Sequence, residues 1–321
     1  MSLLLSRLQR YLRQTDRARQ FLRPRQYEEQ QGFADNPKQG DAELLEHPFR
    51  AIPVGEPEPS PFTHFLDGIQ RSWLLYYVEG VPVYYGYTAA VIRARTDRVL
   101  STWQHRQQEA LYLPTRLCSE SQALKEIPII DTLGETTVVP PDLTKIARDK
   151  ISSDRQQLET QLAATWMQQN CPGWLVIDGS IRATGAIASH DRVIGIIKTH
   201  NTQFFSWQEQ QIIQNLKAGE RSSTFCLLIL FDQNSPPRSV CSWYLRLREG
   251  SGDDIHFGLV RIEISPTCQA TPDQISRWLL DETRPLALPD TRWDRMIYPI
   301  RDCEMYLRSQ EPHPANFGWL F

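Results

Sequence analysis

Hydrophobic positions fall into two rhythms along this chain, separated by a stretch with neither. At the start, residues 1–25 read as an amphipathic helix, with Leu4, Leu5, Leu8 and Leu12 recurring at helical spacing. Residues 26–60, "QYEEQQGFADNPKQGDAELLEHPFRAIPVGEPEPS", lose that spacing and read as a polar, proline-rich surface linker. From Pro61 the rhythm shortens. "FTHFLDG", "RSWLLYYVEG" and "VPVYYGYTAAVIRAR" carry the aromatic and β-branched residues of consecutive strands, with a turn at Glu79-Gly80. Residues 101–140 are mixed and give no assignment.

The helical spacing returns at residues 142–171, with Ile146, Ile151, Leu158, Leu162 and Trp166 as core positions and Pro172-Gly173 as the stop. Strands follow at 174–178 and 192–198, then a helix near 207–217. "STFCLLILF", "SVCSWYLRL" and "HFGLVRIEI" add further strands. Thr271 and Pro272 mark a helix start, and a last helix begins near Pro299 and runs to about Arg308. Strands, a long helix, strands and further helices in this order predict an α/β fold, a mixed sheet with flanking helices.

Composition narrows the classes. A chain of 321 residues can bury a full core, and 40% apolar with 23% charged residues is ordinary for a globular protein. The net charge of −3 gives no global pull on nucleic acid, so such a site would have to be a local basic patch. The first helix is the most basic segment: Arg7, Arg10, Arg13, Arg17, Arg19, Arg23 and Arg25 stand against a single Asp16. It reads either as a solvated face packed on the body or as an arm touching phosphate or a partner subunit. The six cysteines form no CxxC pair and no zinc spacing, and read as reduced thiols. "CLLILF" and "WLLYYV" are too short to span a membrane, and "MSLLLSRLQRYLRQ" breaks to arginine too early for a signal peptide. Both point to a cytoplasmic protein. No GxxxxGK[ST], GxGxxG or GxSxG occurs, which argues against nucleotide-dependent and serine-hydrolase chemistry.

Two apolar strands close on Asp-Gly: "HFLDG", ending at Asp67, and "WLVIDG", ending at Asp178. A carboxylate at the end of a buried strand costs desolvation unless something neutralises it. One reading is a turn, since Asp-Gly suits turns. The other is a site for magnesium or manganese, which take oxygen ligands from converging acids. Glu159 supplies a third acid, nineteen residues before Asp178 on the long helix. The helix from 159 to 171 covers about 18 Å. A returning strand at about 3.3 Å per residue covers a similar distance, which brings Glu159 near the strand end. Lys198 and Arg182 are candidates to face a phosphate, with a merely solvated strand-end lysine as the alternative for Lys198. Trp73, Tyr84, Tyr85 and Tyr87 read as sheet core, with base stacking as the alternative.

The motifs "HFLDGIQRS", "DRQQLE", "WLVIDGSIR", "RVIGIIKTH" and "RMIYPIRDCEMYLRS" follow one another as in the NurA nucleases, and over residues 62–308 the chain resembles that family. The resemblance implies an RNase H-like core over residues 61–321, with an insertion at about 101–140 and the arm and linker of residues 1–60 outside it. It implies that Asp67, Glu159 and Asp178 bind two manganese or magnesium ions, and that Tyr298 belongs to the active site. It implies a DNA-repair nuclease, a 5′-end-processing exonuclease or single-strand endonuclease. Its implied partners are DNA, a second copy of the chain in a homodimer, and a HerA-type hexameric ATPase. The chain departs from the family at Tyr306, where a histidine is usual, and at Ile69, where serine is usual. Tyr306 keeps a second reading open: a non-catalytic subunit of the same fold that binds DNA or the ATPase.

Overall fold

The computed structural model describes residues 3–14, 25–26, 38–117, 127–133, 142–200, 202–229, 238–249, 255–283 and 295–312. The chain opens with α1 (Leu3–Gln14) and four short strands, β1 (Arg25–Gln26), β2 (Lys38–Gln39), β3 (Glu43–Leu44) and β4 (Ala51–Pro53). Three long strands follow, β5 (Phe62–Val78), β6 (Val81–Thr96) and β7 (Val99–Leu113), then β8 (Ile129–Asp131). The long helix α2 (Leu143–Gln168) leads to β9 (Trp174–Asp178), α3 (Gly185–Ala188), β10 (Val193–Ile197), β11 (Thr202–Gln203) and α4 (Trp207–Gln214). The rest is β12 (Glu220–Ser222), β13 (Phe225–Ile229), β14 (Arg238–Arg246), β15 (Leu259–Ile264), α5 (Pro272–Asp281) and α6 (Tyr298–Gln310).

Among the described residues thirteen strands form one mixed sheet whose main path is β3-β13-β14-β15-β10-β9-β5-β6-β7-β8. The β5–β9, β9–β10 and β7–β8 pairings are parallel. The fold is the expected α/β arrangement, because strand pleating sorts the apolar residues onto two faces. Leu66, Leu175 and Ile177 pack with Leu158, Leu162 and Trp166 of α2. Phe65 and Val176, one residue out of phase, pack with Leu8 of α1, Leu279 of α5 and Ile300 of α6. Helices therefore cover both faces. No helix among the described residues is long and apolar enough to cross a membrane.

Several elements differ from expectation. "FTHFLDG" and "RSWLLYYV" are one continuous strand, β5, with a register shift between Leu74 and Tyr76. The hydrophobic run carries straight through Asp67-Gly68 because that dipeptide makes no turn. Residues 99–113, unassigned from their pattern, form β7 along β6 from Tyr84 to Thr96. Its first two-thirds is half exposed and built from residues such as Gln104, Arg106 and Gln108, so it lacks the apolar alternation that signals a strand. Short stretches of the proline-rich segment add β3 and β4 to the sheet.

Other features match. Ile151, Leu158, Leu162 and Trp166 are buried on α2, whereas Ile146 is only half-buried and Ala147 takes the buried place beside it. Asp142 caps its start by accepting from Lys145 N at 3.0 Å. Thr271 caps α5 by accepting from Gln274 N at 3.2 Å. Trp73, Tyr84, Tyr85 and Tyr87 are buried, so they build the core and do not stack bases. Leu4 and Leu8 dock α1 on the body, while Arg17, Arg19 and Arg23 lie outside the described residues.

Leu162 is fully buried between α2 and the sheet. Leu162→Ala is expected to lower the unfolding free energy by about 2–5 kcal/mol, measured by urea denaturation.

Candidate metal-binding carboxylate site

Asp67 lies in the middle of β5 rather than at a strand end, which corrects the symmetric expectation of two strands each closing on an acid. Asp178 does close its strand, β9. The two strands run parallel with Leu66 opposite Ile177, so the next pair in register is Asp67 and Asp178. Leu66 and Ile177 face α2. By the pleat, Asp67 and Asp178 point to the opposite face, toward α6.

Glu159 comes from the α2 face. A Cβ built at Gly68 would stand 2.1 Å from its Oε1, so the missing side chain is what admits the Glu159 carboxylate to the strand beside Asp67. Gly68 thus serves close approach and not a turn. The glycine after Asp178 has the other function: Gly179 holds φ +134°, which L side chains rarely adopt, and the chain leaves the sheet there. From the α2 face Glu159 lies close enough for its charge to act on Asp67.

The electrostatics bear the crowding out. Asp67 is 8% exposed and accepts one hydrogen bond, from Gly68 N at 2.7 Å, with no ion-pair partner among the described residues. Burial first, and then the Asp178 charge, push its carboxyl well above the usual range; Lys198 opposes this and Glu159 adds to it. The other two acids hold cations. Lys198 Nζ, just past β10, donates to Asp178 Oδ2 at 2.9 Å. Arg155, one helical turn before Glu159, pairs with Glu159 Oε1 and donates to Gln70 Oε1 at 3.1 Å.

Among the described residues no group of three or more His, Cys, Asp or Glu side chains is arranged to hold a metal ion as it stands. Lys198 and Arg155 occupy the carboxylates instead. The donor set itself fits magnesium or manganese: three carboxylates, oxygen only, with the most buried one lacking a cation of its own.

The remaining predicted residues are dispersed around this centre. Arg182 bonds Glu263 Oε1 at 3.0 Å and Ser180 Oγ at 3.2 Å, in the loop after Asp178. Tyr298 stands half exposed at the start of α6; its amide bonds Glu282 O at 3.4 Å, and its hydroxyl makes no hydrogen bond to the three acids. Tyr306 lies further along α6, under the Arg93 guanidinium at 5.1 Å and beside the His105 ring at 6.0 Å.

Two further residues matter that the sequence reading did not single out. Glu263, fully buried in β15, accepts from Ser180 Oγ at 2.6 Å, Ile181 N at 3.2 Å and Arg261 Nη1 at 2.7 Å, and so fixes the loop that follows Asp178. Its one signal is an acid inside the apolar run "LVRIEI". Cys303 of α6 donates to Phe65 O at 3.2 Å, and burial followed by the nearby Asp67 charge pushes its thiol well up, which keeps it a neutral roof over the aspartates.

No protein-family model and no curated protein matches the chain. Among solved structures it is similar to the NurA nuclease from Sulfolobus solfataricus, at 12% identity and a TM-score of 0.44, covering 94% of this chain and 87% of that one. It is also similar to the catalytic domain of human endonuclease V, at 12% identity and a TM-score of 0.31, covering 94% of each chain. At that level of likeness the chemistry has to be argued from this chain's own residues.

Two outcomes follow from the crowding. Gly68→Ala places a methyl where Glu159 Oε1 stands, and chemical denaturation should show a loss of about 1–3 kcal/mol. Asp67→Asn should stabilise the cation-free protein, with a pH dependence of defined sign. Below about pH 4 both folded and unfolded chains keep the Asp67 proton and the wild type carries no penalty. As the pH rises, the unfolded chain releases that proton at the ordinary value while folded Asp67 resists ionisation, so wild-type stability falls. The Tm advantage of Asp67→Asn should therefore grow from pH 4 to pH 8 in buffer containing a chelator.

Proposed function

We propose that this chain is a metal-dependent DNA nuclease that hydrolyses phosphodiester bonds. The observation that carries the reading is the in-register placement of Asp67 beside Asp178 on parallel strands, with Glu159 admitted at Gly68. In this reading Asp67, Asp178 and Glu159 hold two manganese or magnesium ions in an RNase H-like core. When bound, such ions activate water and neutralise charge on the phosphate.

The chain's own side chains do the rest. Lys198 Nζ, 2.9 Å from Asp178 Oδ2, is a cationic donor at the level of the acids and turns to a non-bridging phosphate oxygen. Arg182, partly exposed on the loop after Asp178, offers a second donor to the same backbone while Glu263 holds its Nε. Arg155 keeps Glu159 aimed at Gly68 by its salt bridge one turn away. Tyr298, exposed at the start of α6, and Tyr306 border the strand's path. Hydrolysis adds water across a P–O bond and leaves a phosphate monoester and a free hydroxyl. Action on 5′ ends or single strands in DNA repair, a cytoplasmic homodimer, a HerA-type ATPase partner and a division at residue 60 between arm and nuclease unit belong to the same proposal.

A second reading has its own support. Tyr306, at the position of the family's usual histidine, is packed between Arg93 and His105. That is a structural setting, and it favours a non-catalytic subunit that binds DNA or the ATPase.

End-labelled linear DNA, single- and double-stranded, incubated with manganese and then magnesium separates the two. The nuclease reading expects cleavage by the wild type and a fall of about 100-fold or more in Asp67→Ala and Asp178→Ala. Cleavage that survives both substitutions contradicts it, and a folded wild type that binds DNA without cutting favours the second reading.

A further inference from the structure

A cavity of about 540 Å³ opens on the α2 side of the sheet, where β2 and β11 pair in parallel with Gln203 opposite Gln39. The pairing closes with Gly40 N donating to Gln203 O at 2.9 Å. The Phe204 ring lies directly against Gly40, where a Cβ would meet its Cε1 at 2.6 Å. On the other side Trp207, the first residue of α4, is 69% exposed, the most exposed of the large hydrophobic side chains among the described residues. The capping box of Ser206 and Glu209 sets the backbone at the helix start from which Trp207 projects.

The chemistry of the lining is unusual. Four amides, Gln39, Gln203, Gln210 and Gln214, share the cavity with Phe204 and Trp207. Asp41 is the one lining residue with an ionisable side chain, so no cation is present to hold phosphate inside. Each glutamine offers both donors and an acceptor. Flat aromatic walls with neutral two-way hydrogen-bonding groups match a planar heterocycle that has a polar edge, and the volume lies in the range of small-ligand sites. A chain of contacts runs from the cavity wall to the loop after Asp178. The Arg261 guanidinium sits 5.3 Å over the Phe204 ring, Arg261 bonds Glu263, and Glu263 holds Ser180 two residues past Asp178.

We propose that this cavity takes an unpaired nucleobase of the DNA strand, stacked on Trp207 with its edge bonded by the glutamines. It rests on the nuclease reading for the identity of the strand, and it makes the substrate single-stranded at this point. Stacking on an exposed aromatic is sequence-tolerant, since every base has a π face, and the amides add an edge preference.

The test uses the full chain in chelator, so that nothing is cut. Binding of a fluorescein-labelled 12-nucleotide single strand is followed by anisotropy, beside a strand of equal length made abasic throughout, for the wild type and Trp207→Ala. Free adenosine is titrated separately against intrinsic fluorescence, for the wild type and Trp207→Phe. The expected result is about tenfold tighter binding of the base-bearing strand by the wild type, with that ratio lost in Trp207→Ala at unchanged Tm. Saturable quenching by adenosine should also be lost or shifted in Trp207→Phe. Equal affinity for the two strands, or a ratio that survives Trp207→Ala, overturns the proposal. The adenosine arm separates it from the nuclease reading: quenching without any strand cleavage in manganese keeps the cavity and sinks the nuclease, whereas cleavage without quenching does the reverse.

Discussion

Everything at the candidate site depends on like charges being held together. Asp67 and Asp178 are neighbours in register on parallel strands, and Glu159 enters beside them from the far face of the sheet. Buried carboxylates repel one another and resist desolvation, so the arrangement is a cost that the rest of the fold must sustain. It is sustained by rigid elements. The aspartates sit on strands covered by helices on both faces, and α2 carries Glu159 in its middle, where the helix has least freedom to fray.

Lys198 and Arg155 show how the charge is met in the resting protein. Each holds one acid and leaves the most buried, Asp67, with a backbone amide as its one hydrogen-bond donor among the described residues. Under the proposed function, a divalent ion held by the three carboxylates would free both side chains for an anionic substrate. Buried Glu263 ties the loop after Asp178 to β15 through Ser180, Ile181 and Arg261. One network therefore links the carboxylate centre to the wall of the glutamine-lined cavity.

Much of the fold could be read from the chain because its cues are local. The α2 core positions repeat at helical spacing, and the Thr271-Pro272 start of α5 is a capping signal confined to two residues. The three acids stand out for a similar reason, as charges on otherwise apolar or well-patterned segments. What could not be read was decided by distant parts of the chain. Nothing near Asp67-Gly68 says that the strand continues; the glycine is explained by Glu159, ninety-one residues away. The polar strand β7 is held by pairing along β6 rather than by its own burial. The Glu263 network joins residues more than eighty positions apart. The exposed Trp207 carries no pattern at all until β2 is seen to lie beside β11.

The most direct measurement is a calorimetric titration of manganese into the full chain without DNA, for the wild type, Asp67→Asn and Glu159→Gln. The account predicts saturable binding by the wild type, lost in Asp67→Asn and weakened in Glu159→Gln, because the three carboxylates act as one oxygen-donor set. Absence of binding by the wild type, or equal binding by all three proteins, would contradict it and leave the acids as a structural cluster neutralised by Lys198 and Arg155.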